Sequence, residues 1–485
     1  MLKKILIALP IVLITILLIN TLRFSSVQQQ VEPIPPIELD QAASVQRLTD
    51  ILRFKTISYS DPASIDRTPF IDLRNYLKAA YPRVHEQLSL EVLGGYSLLY
   101  RLAGSDSNLK PIALMAHMDV VPIEQATRDQ WEHPPFAGIA DNSTIWGRGA
   151  LDDKSSLVAI LEAVEFLLAN NIKPRRDIYL AFGHDEELGG HKGMATIARE
   201  LQQRGVYLEY VLDEGGAITS GISSSLSQPT ALVAVGEKGG VTLELTMRGK
   251  GGHSSQPPPI STIGALSRAV VALEEQQLPT RLDSPTGTMF DVLAREMGFI
   301  PRMLFANRWL TEPLLLKIVG GNYSLNPMLR TTTAPTMFSA GLKSNLLPGS
   351  ATAIIDFRLL QGDTIESVVS HVKTVINNPD IAVAVKGNNS REASPVSDHQ
   401  SRAFQLIEQT IKQVMPATLV APNLMTGGSD AKHFSAISEN IYHFVPYTIH
   451  RENITSVHGV NERLPISEYM NMIRFYVQLL INTAG

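Results

Sequence analysis

The chain has 485 residues, too many for one compact core, and calls for two domains plus extensions. A net charge of −5 without a long basic run argues against nucleic acid as the main partner. The absence of cysteine excludes a disulfide framework and a thiol nucleophile, so any metal site must use His, Asp and Glu, and it suits an oxidising compartment.

At the N-terminus Lys3 and Lys4 precede Ile5 to Leu22, a stretch without a charge, and Arg23 follows. As a helix this stretch would span about 27 Å, slightly short of a bilayer core of about 30 Å. No clear small-x-small cleavage site follows it. Residues 1–24 therefore read as an uncleaved signal anchor, with a signal peptide as the alternative. The lysines would stay in the cytoplasm and the bulk of the chain would lie outside it, in a periplasm, a lumen or the extracellular space, and secreted if the segment is cleaved. A polar, proline-rich linker occupies 25–36.

From 37 to 236 helical and strand patterns alternate. Ser44 to Phe54 is amphipathic, Pro111 to Met118 is an apolar strand and Ser155 to Ala169 is a helix. Strands follow at Asp177 to Gly183 and Tyr207 to Leu212. This order predicts an α/β domain, a mixed sheet between helices, with its site at the carboxyl ends of strands. Residues 237–389 read as strand, helix, strand, helix and strand, the pattern of an inserted α+β sandwich. That unit is itself interrupted by an apolar stretch at 282–330. From 390 to 485 the chain returns to the first domain, with helices at Ser401 to Val414 and Ser467 to Asn482.

Polar clusters punctuate this pattern at predicted strand ends. In MAHMDVVP, His117 and Asp119 point to one face about 7 Å apart along a strand that otherwise reads as wholly buried. A buried histidine is also a common satisfied core residue. GRGALDDK delivers Asp152 and Asp153 just before a helix, where a lone aspartate would serve as a cap. GHDEELGG packs Asp185, Glu186 and Glu187 together, and carboxylates so crowded repel unless a cation or proton compensates. VLDEGG places Asp213 at another strand end, and VHGVNER supplies His458 from a loop. Two histidines and several carboxylates without cysteine are the ligand chemistry of paired zinc or a similar divalent metal, and one bridging carboxylate lets so many acids share a site.

HMDVVP, GRGALDDK, HDEELGG, LDEGG, GGHSSQPP, GGSDAKHF and HGVNER, in this order, resemble the zinc aminoacylase and carboxypeptidase superfamily over about residues 40–485. The likeness is strongest to its carboxypeptidase S and N-acyl amino acid hydrolase/synthase branches. It implies a zinc-exopeptidase-like catalytic domain with an inserted lid or dimerisation domain, and therefore a possible homodimer. By motif position it implies two Zn2+, with Co2+ or Mn2+ as substitutes: His117 and Asp213 bind one, Glu187 and His458 the other, and Asp152 bridges them. It also implies that Asp119 fixes the tautomer of His117, that Glu186 is the general base, and that the peptide after Asp152 is cis. His253 would steady the oxyanion, while Arg358, Asn345, Gly427 and Gly428 would hold the substrate. Lys432 stands where many relatives have Arg, which removes a bidentate fork. The function implied is amide hydrolysis releasing an amino acid with a free carboxylate. A carboxypeptidase is the first reading, an N-acyl amino acid hydrolase or synthase the second, and a non-catalytic metal-binding protein the third. The stretch from Leu293 to Val319 reads either as packing within the lid's own core or as an apolar wall beside the active site.

Overall fold

The structure is a computed structural model. It describes residues 2–59, 61–221, 225–283, 285–387, 390–450, 453 and 455–484, and the side chains of all of these except 2–8, 62 and 484. In chain order, α1 (Leu2–Arg23) and α2 (Gln41–Leu52) lead into β1 (Ser89–Leu93), β2 (Ser97–Leu102) and β3 (Ile112–His117). Next come α3 (Lys154–Ala169), β4 (Ile178–Gly183), α4 (Met194–Gln203), β5 (Tyr210–Asp213), β6 (Ala217–Thr219) and β7 (Thr230–Glu237). An insertion then supplies β8 (Gly239–Arg248), α5 (Thr262–Glu275), α6 (Thr286–Ala294), α7 (Phe299–Ala306), α8 (Arg308–Gly320), β9 (Thr332–Ala340), β10 (Ser350–Leu359), α9 (Ile365–Ile376) and β11 (Ile381–Val385). The chain closes with α10 (Arg402–Val414), β12 (Leu419–Met425), β13 (Ile441–His443), β14 (Thr448–Ile449) and α11 (Ile466–Ala484). Each element expected from the sequence has an observed counterpart within a few residues, whereas β1, β2, α4, β6, β7, β9, β12, β13 and β14 are not expected from it, and the expected boundary at 389 lies outside the described residues.

The catalytic sheet runs β1-β2-β4-β3-β5-β13-β7-β6-β14, with β12 beside β7. It is mixed: β4, β3 and β5 are parallel neighbours, and β2 pairs antiparallel with β4. Every side chain of β3 is buried because helices cover both faces of the sheet. Ile112, Leu114 and Ala116 pack on one side with Val158, Leu161 and Phe475 from α3 and α11. Ala113 and Met115 pack on the other with Met194 and Ile197 from α4. Alternation along one strand thus fills two cores.

The lid is a four-stranded antiparallel sheet, β9-β10-β8-β11, backed on one face by α5 and α9. Ser261 caps α5 by accepting from the Gly264 amide, and Thr364 and Ser367 form a capping box on α9.

The 282–330 insertion does not widen the lid's own core, which corrects the first reading of that stretch. Its core, around Phe290, Leu293, Phe305 and Leu315, packs on Leu232 of β7 and Ala421 of β12, and on Phe24. It therefore covers an end of the catalytic sheet, separate from the lid core. Asn307 is fully buried and fixes α1 there, donating to the Leu17 carbonyl and accepting from Asn20. Among the described residues no helix is long and apolar enough to cross a membrane.

Candidate metal centre and active site

Because β4, β3 and β5 are parallel neighbours about 4.8 Å apart, their carboxyl ends converge. His117 is the last residue of β3, the Glu186–Leu188 turn follows β4, and Glu214 follows β5. The loop before α3 brings Asp152 across these ends, and its peptide bond to Asp153 is cis. His458, from a loop after β14 and at φ +58°, reaches in from the far side.

Asp152 joins the two histidines. Its Oδ1 lies 2.8 Å from His117 Nε2 and its Oδ2 lies 2.9 Å from His458 Nε2. Glu214 Oε1 is 3.4 Å from His117 Nε2, and Glu187 Oε2 is 3.3 Å from His458 Nε2. Two triads result, His117–Asp152–Glu214 and Asp152–Glu187–His458, each with its ligand atoms within 4.8 Å of one another. The residues fit a pair of divalent cations: the donors are N and O only, one carboxylate offers an oxygen to each half, and buried Glu187 Oε1 has no hydrogen-bond partner. Glu186 lies beside them, forming a third group with His117 and Glu187.

Electrostatics follow from this crowding. Burial opposes the charge of His117, but Glu214, Asp119 and Asp152 outweigh it and raise its pKa. Hydrogen bonds to Asp152 and then Glu187 raise His458 to about 10. Burial first, and then the charge of Asp152, lifts Glu214 to about 7. Glu186 is also raised well above the usual carboxylate range by burial, with His117 opposing and Glu214 and Asp430 adding to the rise.

One expectation is corrected by this geometry, and the contact of Asp119 with His117 is seen to run chiefly through its backbone. Asp213 does not join the ligand group: its Oδ2 accepts the Ala431 amide at 3.0 Å, and the neighbouring Glu214 takes the place beside His117. Successive residues at a strand end point in opposite directions, so one position decides which carboxylate faces the site. His117 Nδ1 bonds chiefly to the backbone carbonyl of Asp119 at 2.9 Å, with the Asp119 carboxylate at 3.5 Å. That carboxylate accepts from Ser58 Oγ at 2.6 Å and from the amides of Glu186 and Glu187 at 3.1 and 3.2 Å. Asp119 thus holds the Glu186 turn against the loop that orients His117.

Glu462 and Arg148 carry structural roles that no motif argument assigned. Fully buried Glu462 accepts from the amides of Gly149, Leu151 and Asp152 and from Arg148 Nη1, which fixes the loop carrying Asp152. Both lie inside quoted motifs, and a carboxylate next to VHGVN was the available signal. Buried Asp430 is a second such group; Gly190, at φ +68°, passes so close that a Cβ there would lie 1.7 Å from Asp430 Oδ1.

A cavity of about 650 Å³ opens next to the Glu186–Gly189 turn, lined by Gly189, His191, Glu237, Arg391, Lys432 and His433 among others. Gly427 and Gly428 border it through Arg391, whose Nη2 donates to the Gly427 carbonyl and would meet any Cβ on Gly428. Arg358, Asn345 and His253 are absent from its lining. Arg358 pairs with Asp356 on β10, and the Asn345 carbonyl accepts the Ser254 amide. Exposed His253 bonds to Ser255 Oγ at 2.7 Å.

A model of peptidase family M20/M25/M40 matches residues 113–482. A probable carboxypeptidase S-like protein of Dictyostelium discoideum is 40% identical over 97% of this chain and 92% of its own length. An N-fatty-acyl-amino acid synthase/hydrolase PM20D1 of Xenopus tropicalis is 39% identical over 92% of this chain and 87% of its own. Among solved structures, the M20 family metallo-carboxypeptidase Sso-CP2 of Sulfolobus solfataricus superposes with a TM-score of 0.64 at 20% identity, covering 91% of this chain and 99% of that one.

Proposed function

The chain belongs to peptidase family M20/M25/M40, and from that membership we propose a di-zinc hydrolase that cleaves an amide bond and releases an amino acid with a free carboxylate. Co2+ or Mn2+ would substitute for zinc at the same N and O donors. The observation that carries the reading is the bridging position of Asp152, 2.8 and 2.9 Å from two histidines, with Glu186 alongside. Bound metal would supply Lewis acidity and lower the pKa of the attacking water. Glu186, held by Asp119 through its backbone amide, takes the water's proton and returns it to the leaving amine. Arg391 and Lys432 are the cations at the cavity that suit a substrate carboxylate. His253 reaches the oxyanion from the lid of a partner subunit in a homodimer.

A carboxypeptidase S-like peptidase is the first substrate reading. N-acyl amino acid hydrolysis or synthesis is the second, favoured by the 39% identity to an N-fatty-acyl-amino acid synthase/hydrolase. Full-length protein loaded with zinc is given N-acetyl, N-octanoyl and N-oleoyl phenylalanine and a set of dipeptides. Rapid dipeptide cleavage with a flat acyl series supports the peptidase. A steep rise in kcat/KM with acyl length supports the second reading, and no turnover of either class rejects both. Residues 1–24 hold the protein at a membrane with the catalytic part outside the cytoplasm. Protease added to intact cells or spheroplasts should reach that part, and full protection would contradict the placement.

A further inference from the structure

The helices at the edge of the catalytic sheet turn apolar side chains outward. In α8 the exposed residues are Trp309, Leu310, Pro313, Leu314, Lys317 and Ile318, recurring at i, i+4 and i+8 along one face. Trp309 is 63% exposed and Ile318 56%, while Leu315 and Val319 are buried. A surface helix of a soluble domain shows the reverse polarity. The start of α7 adds exposed Phe299 and Ile300.

The N-terminal helix continues this surface. α1 turns Leu17, Asn20 and Thr21 inward, followed by Phe24 just past its end, and Asn307, between α7 and α8, bonds to Leu17 and Asn20. Arg295 stacks 4.0 Å from the Phe24 ring centre. These contacts seat α1 at the α7–α8 junction, next to Trp309, and leave Leu9, Ile11 and Leu22 among its many exposed apolar residues.

Charge selects the occupant. Once Arg308, paired with Asp291 and Glu312, is set aside, the described side chains of α1, α7 and α8 include Arg23, Arg302 and Lys317 and no other acidic residue, on a chain of net charge −5. An apolar face with basic residues and a tryptophan matches an anionic lipid surface, where Trp sits at the headgroup level and Lys snorkels. A protein partner would have to wrap two helices that offer it almost no polar handle. We propose that α7 and α8 rest in the interface of an anionic bilayer beside α1, so that the insertion is a second membrane contact in addition to the N-terminal segment.

The test uses the full chain in vesicles of phosphatidylcholine and phosphatidylglycerol whose acyl chains carry bromine, which quenches nearby tryptophan. The chain has three tryptophans, Trp131, Trp146 and Trp309. Emission should fall relative to unbrominated vesicles, and Trp309→Phe should abolish that fall while the protein still floats with the vesicles. Leu314→Asp combined with Ile318→Asp should do the same at an unchanged thermal midpoint. Vesicle-bound protein without any bromine-dependent fall, or with an equal fall in Trp309→Phe, overturns the proposal. So does a lipid-free dimer that Trp309→Asp dissociates, since the face would then belong to a second copy.

Discussion

At the scale of single residues, the site depends on which carboxylates face the converging strand ends. Glu214 and Asp213 are adjacent, yet one lies 3.4 Å from His117 Nε2 and the other accepts the Ala431 amide. Glu214→Gln should therefore lose at least about tenfold in metal affinity, the usual scale for weakening a ligand set. Asp213→Asn keeps an acceptor oxygen for Ala431 and should retain metal; metal analysis of the two proteins decides, and the opposite result returns Asp213 to the ligand set. Glu186→Gln is expected to keep its metal and to lower turnover at least about a thousandfold, because under the proposed mechanism it removes the proton acceptor and leaves the ligands in place. Turnover near that of the unaltered protein would show that another group is the base. The motifs made these carboxylates legible as a cluster. They did not reveal which oxygen points where, nor that Asp119 bonds to the Glu186 and Glu187 amides.

At the scale of elements, the crossing from catalytic sheet to lid carries a buried cation. Lys238 stands between β7 and β8, fully buried, and donates to the carbonyls of Pro327 and Arg330 where the insertion ends. Burial, followed by the charge of Arg358, lowers its pKa to about 7, with Asp363 opposing. Below pH 7 folded and unfolded chains both hold the proton, and the burial penalty is constant. Between about 7 and 10.5 the folded chain releases it while the unfolded chain keeps it, so stability rises with pH. The unfolding free energy from denaturant titrations at pH 7 to 9 should thus climb more steeply in the unaltered protein than in Lys238→Met, by at most about 1.4 kcal/mol per pH unit. Parallel pH profiles would show that Lys238 stays charged in the folded state. No sequence pattern marks this lysine, because its burial follows from the insertion folding back on the hinge.

At the scale of the whole molecule, His253 of the lid is absent from the lining of the cavity beside the Glu186 turn. His253 bonds to Ser255 in an exposed two-residue strand, and β9 forms an open edge of the lid sheet with Met337 65% exposed. If a homodimer supplies His253 across its two-fold axis, mixing inactive Glu186→Gln with inactive His253→Asn should restore activity above that of either protein alone. A mixture no more active than its components, under conditions of subunit exchange, would place His253 in its own subunit's reaction. The sequence by itself determined the α/β class and the motifs whose histidines and carboxylates gather at the strand ends, because hydrophobic period and strand-end chemistry are local properties of neighbouring residues. Only the tertiary structure decided that Glu214 displaces Asp213, that Glu462 fixes the Asp152 loop, and that the 282–330 segment packs on Leu232 and Ala421. Side-chain direction at a strand end and the docking of one apolar helix among several apolar surfaces depend on contacts between residues far apart in the chain, which no local pattern records.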